Sequence, residues 1–141
     1  MRSLGIDLGS KRIGVAMSDS SGVIASPLVV IDRGSNHALD HKKIQELIDE
    51  HSVGCVVVGM PLSMSGKVGP AAKSAQDEII EMKNALSVAV HSYDERLTSK
   101  TANDSMIKAN MKAQARRRIV DKIAAAVMLQ GWLDHVDRGK P

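Results

Sequence analysis

The stretch MRSLGIDLGSKRIGVAMSD, residues 1–19, decides how the chain is read. Residues 2–8 alternate toward a buried strand, GSK turns the chain, and RIGVAMSD reads as a second strand. SSG is the next turn, with Asp19 as a turn residue. VIASPLVVI, residues 23–31, then makes a third strand, in which Pro27 predicts an edge or a bulge. Turns this short join antiparallel neighbours, so the first three strands form a meander. One residue does not suit a buried strand. Asp7 sits between Leu4-Gly5-Ile6 and Leu8-Gly9, and an unpaired charge out of water is costly.

Outward from this hairpin the period changes. NHALDHKKIQELIDEH predicts a helix with Leu39, Ile44, Leu47 and Ile48 on one face and Asn36 as its N-cap. CVVVG is a continuous apolar run, expected for a central strand buried on both faces. A loop, MPLSMSGKVG, leads to Pro70, which suits the first turn of a helix reaching about Leu86. SVAVHSY is a fifth strand. TSKTANDSMIKANM predicts a helix capped by Thr98 or Ser99, and residues 113–136 predict a long final helix. Three antiparallel strands followed by helix–strand–helix–strand–helix make an α/β fold with a mixed sheet, helices on its faces and right-handed crossovers. No repeat or linker divides the sequence, so residues 1–141 are expected to form a single domain.

Composition narrows the function. With no Phe, one Tyr and one Trp, the chain lacks the aromatic platform on which single-stranded bases stack. The net charge of +3 is modest, but its placement is uneven. Arg96, Lys100, Lys108, Lys112, Arg116, Arg117, Arg118 and Lys122 crowd the last third, as either a solvated helix face or a phosphate-binding surface. Cys55 is the only cysteine, so no internal disulfide forms and its place in VGCVVVGM reads as a buried thiol. With no apolar run long enough to span a bilayer and no leader pattern, a cytoplasmic protein without a membrane partner is expected.

Three acids sit where packing alone would not put them. They are Asp7 in the first strand, Glu95 at the end of the fifth, and Asp121 in the last helix. Asp121 has Ala124, Ala125 and Met128 at i+3, i+4 and i+7, a small-residue face able to approach a sheet. Each acid has an ordinary alternative. Asp7 could accept from turn amides, Glu95 could pair with Arg96 or a lysine, and Asp121 with Arg117 or Arg118. Taken together they suggest a metal site, because carboxylates about 4 Å apart repel by about 4 kcal/mol at an effective dielectric of about 20. A hard divalent cation relieves that repulsion and takes oxygen ligands.

Four stretches carry a resemblance: GIDLGSKRIGVAMSD, VVVGMPLSMSGKVGPAA, YDERLTSKTA and VDKIAAAVMLQGWL. In this order and spacing the chain resembles the YqgF/RuvX family of Holliday-junction-resolvase-like proteins, also described as pre-16S rRNA nucleases. The resemblance implies an RNase H-like fold with strand order 3-2-1-4-5. It implies Mg²⁺- or Mn²⁺-dependent cleavage of nucleic acid in maturing the 5′ end of precursor 16S rRNA. Carried over by position, Asp7, Glu95 and Asp121 are the catalytic and metal-binding acids, with Asp94 beside Glu95. In the loop after the fourth strand the family reads closer to PLNMDGTEG, and Ser63, Ser65 and Val68 depart from it here. Gly59, Pro61, Gly66, Gly69 and Pro70 match.

Arg12, Arg96, Arg116, Arg117 and Arg118 are the candidate substrate-binding residues, suited to holding a duplex or structured RNA by its phosphates. His37 and His41 have ligand-like i, i+4 spacing but no third ligand nearby, and read as a solvated helix face. Branched DNA is the alternative substrate, and a non-catalytic nucleic-acid-binding module the alternative function. DLGSKRIGVA also looks like the phosphate hairpin of actin-like ATPases and sugar kinases, but those need a second such domain, which the sequence lacks.

Overall fold

The computed structural model describes residues 1–61, 68–94 and 113–138, and within the last segment the side chains of residues 121–136. Five strands form one mixed sheet: β1 (Arg2–Leu8), β2 (Arg12–Ser18), β3 (Ala25–Asp32), β4 (Val53–Met60) and β5 (Ala89–Asp94). Their order is β3-β2-β1-β4-β5. β1 and β2 pair antiparallel, as do β2 and β3, while β4 runs parallel to both β1 and β5. Three helices accompany them among the described residues: α1 (His37–His51), α2 (Pro70–Ala85) and α3 (Ala113–Arg138). The helix expected over residues 98–111 lies outside the described residues. So do Glu95, Arg96, Ser63, Ser65 and Gly66, and the side chains of Arg116, Arg117 and Arg118.

The period of two along each strand sorts the core into two layers. Leu4 and Ile6 of β1, Ile13 and Val15 of β2, and Val56 and Val58 of β4 pack with Ile44 and Ile48 of α1 and Ile79 and Met82 of α2. The alternate residues Ala16 and Val57 face Ala125, Ala126, Met128 and Leu129 of α3. β4 is buried on both faces, as its continuous apolar run requires, and Cys55 is a buried thiol 3.3 Å from Ser3 Oγ. Pro27 lies on the edge strand, opposite the register shift between Val15 and Ala16. Asp19 organises its turn by accepting from the backbone of Val23 and Ile24 and from Ser21 Oγ.

The α1 face requires correction. Asn36 does cap the helix, accepting from the Leu39 N–H at 2.9 Å. Leu39, however, is 45% exposed, and Asp40 and His41 are buried with Ile44 and Ile48. His41 is therefore not on a solvated face. Its Nε2 lies 2.9 Å from Glu78 Oε2 of α2. The expected face fails because residues 40, 41, 44 and 48 are themselves spaced for one side of a helix, and an ion cluster from other elements compensates their polarity.

Candidate functional site

α3 packs across β1 and β2. β1 and β2 present glycines there rather than side chains. A Cβ on Gly5 would stand 2.7 Å from the Leu129 Cβ and 3.1 Å from the Ala125 carbonyl oxygen. A Cβ on Gly14 would run into the backbone of Asp121 and stand 3.3 Å from the Asp121 Cβ. Glycine at both positions is therefore what lets the helix lie directly on the strands. The spacings agree: two residues of β1 advance about 6.6 Å, and the four residues from Ala125 back to Asp121 advance about 6 Å.

This packing brings two of the three expected acids together. Asp7 is the cross-strand partner of Gly14. Partners in an antiparallel pair share a face with Cβ atoms about 5 Å apart. Asp121 stands over that same Gly14, so Asp7 and Asp121 share one space between β1, β2 and the helix. Both are partly exposed, as a site open to substrate requires. The ion partner of Asp121 is Arg12, whose Nε donates to Asp121 Oδ2 at 2.8 Å. Helical spacing had offered only Arg117 and Arg118 for that role; the actual partner comes from β2. Side-chain exposures of 25% and 27% leave this pair at the rim rather than in the core.

Beyond the glycines α3 is fastened at both edges of the sheet. Gln130 Oε1 accepts from the Ala25 N–H at 2.8 Å, and its Nε2 donates to the Val23 carbonyl at 2.8 Å. Trp132 stacks on His91 of β5 at 5.7 Å between ring centroids. Tyr93 packs on Gly131, its hydroxyl 3.2 Å from where a Cβ would sit. These contacts fix the height of Asp121 over the strands. Asp94 ends β5 at the C-terminal edge of the parallel strands, the edge on which Asp7 and Leu8 end β1.

Among the described residues no group of three His, Cys, Asp or Glu side chains forms a metal cage. The donor set of Asp7 and Asp121 still fits a hard cation. Both are carboxylates, which offer the oxygen ligands a hard cation takes, and both are partly exposed.

Residues 1–135 match the family model described as "RuvX: Holliday junction resolvase". The chain belongs to the RuvX family. It is 41% identical over 135 residues to the Thermoanaerobacter pseudethanolicus protein named "Putative pre-16S rRNA nuclease", covering 95% of this chain and 96% of that one. It is 44% identical over 137 residues to the protein of the same name from Gluconobacter oxydans, covering 94% and 83%. Among solved structures, Thermus thermophilus RuvC in complex with a Holliday junction substrate superposes with a TM-score of 0.55 at 15% identity, covering 99% of this chain and 97% of that one. The RuvX chain thus has a RuvC-like, RNase H-type fold, with the strand order that the resemblance implied.

The sequence reading missed one set of residues. Arg33, Asp40, His41 and Glu78 form a buried ionic cluster behind the β1–β2 turn, on the face away from α3. A signal was present: Glu78 falls on the same helical face as Ala75, Ile79 and Met82. Burial pushes the Glu78 carboxyl up, but hydrogen bonds from Arg33 and His41 and the charge of Arg33 outweigh it and hold the group below its usual range. His37 is 48% exposed, and its imidazole is raised by a 2.7 Å hydrogen bond with Glu81.

No helix among the described residues is long and apolar enough to cross a membrane.

Proposed function

We propose that this RuvX protein is a metal-dependent nuclease that hydrolyses phosphodiester bonds of precursor 16S rRNA during maturation of its 5′ end, in the cytoplasm. The convergence of Asp7 and Asp121 over Gly14 is the observation that carries the reading. In it, Asp7, Asp121 and Glu95 hold Mg²⁺ or Mn²⁺. Such an ion, when bound, supplies Lewis acidity at the scissile phosphate and an acidified water. The protein's own part is geometric. Asp7 rides on a central strand and Asp121 on a helix fastened to both edges of the sheet, so the two carboxylates keep their spacing without a loop to order.

Arg12 neutralises Asp121, and its guanidinium fork is of the kind that grips phosphate oxygens pairwise. Arg96, Arg116, Arg117 and Arg118 are assigned to the RNA backbone as well. Arg116, Arg117 and Arg118 lie on α3, about one turn before Asp121. Contacts of this kind position structured RNA without reading its sequence. The family's description as a Holliday junction resolvase supports branched DNA as the second reading.

The test is cleavage of an RNA carrying the precursor 5′ extension, titrated with Mg²⁺ and Mn²⁺. Cleavage by the wild type, lost in a folded Asp7→Asn variant, is the expected result. Unchanged cleavage by that variant overturns the assignment. Cleavage of a four-way DNA junction but not of the RNA favours the second reading. Binding without cleavage under any divalent ion favours a non-catalytic module.

A further inference from the structure

The buried charge behind the β1–β2 turn has no part in the proposed chemistry, yet its arginine, Arg33, bonds to that turn at two points. Asp40, Glu78 and His41 are 1%, 3% and 4% exposed. Arg33, just past the end of β3, spends the end of its guanidinium on the two carboxylates. Nη1 and Nη2 donate to the two Glu78 oxygens at 2.9 and 3.0 Å, and Nη1 also reaches Asp40 Oδ2 at 3.2 Å. The other Asp40 oxygen accepts from the Gly34 N–H at 2.7 Å. This leaves the Arg33 Nε–H aimed at the Gly9 carbonyl, 2.8 Å away, while the Arg33 backbone N–H donates to the Lys11 carbonyl at 3.0 Å.

Gly9 and Lys11 are the two ends of the turn, with Asp7 before it and Arg12 after it. Among the described residues, Leu8, Gly9 and Ser10 border a cavity of about 370 Å³ on this side. Leu8 packs against the core, but the turn beyond it is held by Arg33, whose guanidinium fastens the Gly9 end and whose backbone N–H fastens the Lys11 end. Buried ion clusters contribute little net stability compared with a well-packed apolar core. What this one does provide is a fixed direction for one N–H.

We propose that Arg33 is a positioning residue. It fixes the β1–β2 turn and so sets Asp7 and Arg12 against Asp121, and Glu78 and Asp40 aim its guanidinium. What the positioning serves rests on the nuclease reading; the ordering of the turn does not. Lysine cannot replace this arginine, because one ammonium cannot bridge a carboxylate and a carbonyl on opposite sides as the rigid fork does.

The experiment compares the wild type with Arg33→Lys, Glu78→Gln and Ile79→Val. The last loosens the same helix without touching the cluster. Each folded variant is measured for thermal unfolding, amide exchange at Gly9, Mn²⁺ half-saturation, and kcat and KM on the precursor RNA. The Gly9 N–H closes the turn onto the Arg12 carbonyl at 2.9 Å, so it reports the turn directly. In Arg33→Lys its exchange should quicken about tenfold or more. kcat should fall about ten- to a hundredfold with KM within about twofold, and Mn²⁺ half-saturation should rise. Glu78→Gln should move the same readouts in the same direction, and it decides the matter where Arg33→Lys does not fold. Ile79→Val should leave them unchanged. Wild-type exchange at Gly9 in both cluster variants, or an equal fall in kcat in Ile79→Val, overturns the proposal. A wild type that cleaves nothing refutes the nuclease reading, and exchange and Mn²⁺ binding then still decide the role of Arg33.

Discussion

Gly14→Ala is the sharpest test of the convergence of Asp7 and Asp121. The added methyl would stand 2.6 Å from the Asp121 carbonyl carbon, and what it meets is helix backbone rather than a side chain that could turn away. Ordinary carbon–carbon contact begins at about 3.5 Å, so α3 must retreat by about 1 Å at this point. Overpacking of this kind costs about 1–3 kcal/mol. For a chain of this length that lowers Tm by about 3–5 °C per kcal/mol. The effect on cleavage should be larger than the loss of stability suggests. A 1 Å displacement of Asp121 from Asp7 costs about a hundredfold in rate if the two act on one ion.

Gly5→Ala is the matched control. Its methyl meets the Leu129 Cβ at 2.7 Å, about 12 Å along the helix from Asp121. It should lower Tm comparably and cleavage far less. The assay is single-turnover cleavage of labelled precursor RNA, read alongside calorimetric unfolding of both variants. A folded Gly14→Ala that cleaves at the wild-type rate refutes the shared site, because the clash leaves no way to keep Asp121 where it is.

Other outcomes follow from the same geometry. Without metal, Asp121→Asn should change stability by less than about 1 kcal/mol in thermal unfolding, since the Arg12–Asp121 pair is about a quarter exposed and screened; a larger loss would make the pair structural. The Glu78 carboxyl is held below its usual value of 4.5, so its stabilising effect is complete above that pH and is lost as pH falls through the lower folded value. Glu78→Gln should therefore flatten the acid limb of a stability-versus-pH curve, and an unaltered limb would count against the cluster. Neutralising Arg116, Arg117 or Arg118 should weaken RNA binding whatever the sequence. It should also reduce the slope of log K against log salt by about 1 for each phosphate the variant no longer neutralises.

The elements themselves were legible because their causes are local. Alternation gave the hairpin, Asn36 the start of α1, Pro70 the start of α2, and Pro27 the edge and its bulge. Asp7 and Asp121 stood out for the opposite reason, as carboxylates on apolar faces, although turn amides and neighbouring arginines offered each an ordinary partner. The α1 face was misread because hydropathy places Leu39 inward and Asp40 and His41 outward. The reverse holds because Arg33 and Glu78 arrive from elsewhere to pair with them. A polar residue on an apolar face signals a partner, but the sequence does not say which one.

The sequence by itself determined strands and helices, which are properties of residues within a few turns of each other, and the family resemblance and the unusual placement of the acids, which are properties of order along the chain. Tertiary structure alone decided which distant groups meet. Arg12 and Asp121 are 109 positions apart, and Arg33 and Glu78 are 45. Their pairing depends on where a helix comes to rest on a sheet. Backbone clearance sets that place, and two glycines in neighbouring strands provide it: the sequence reads Gly5 as room for a metal and a phosphate beside Asp7, and only α3 lying across Gly5 and Gly14 shows that they make room for the helix.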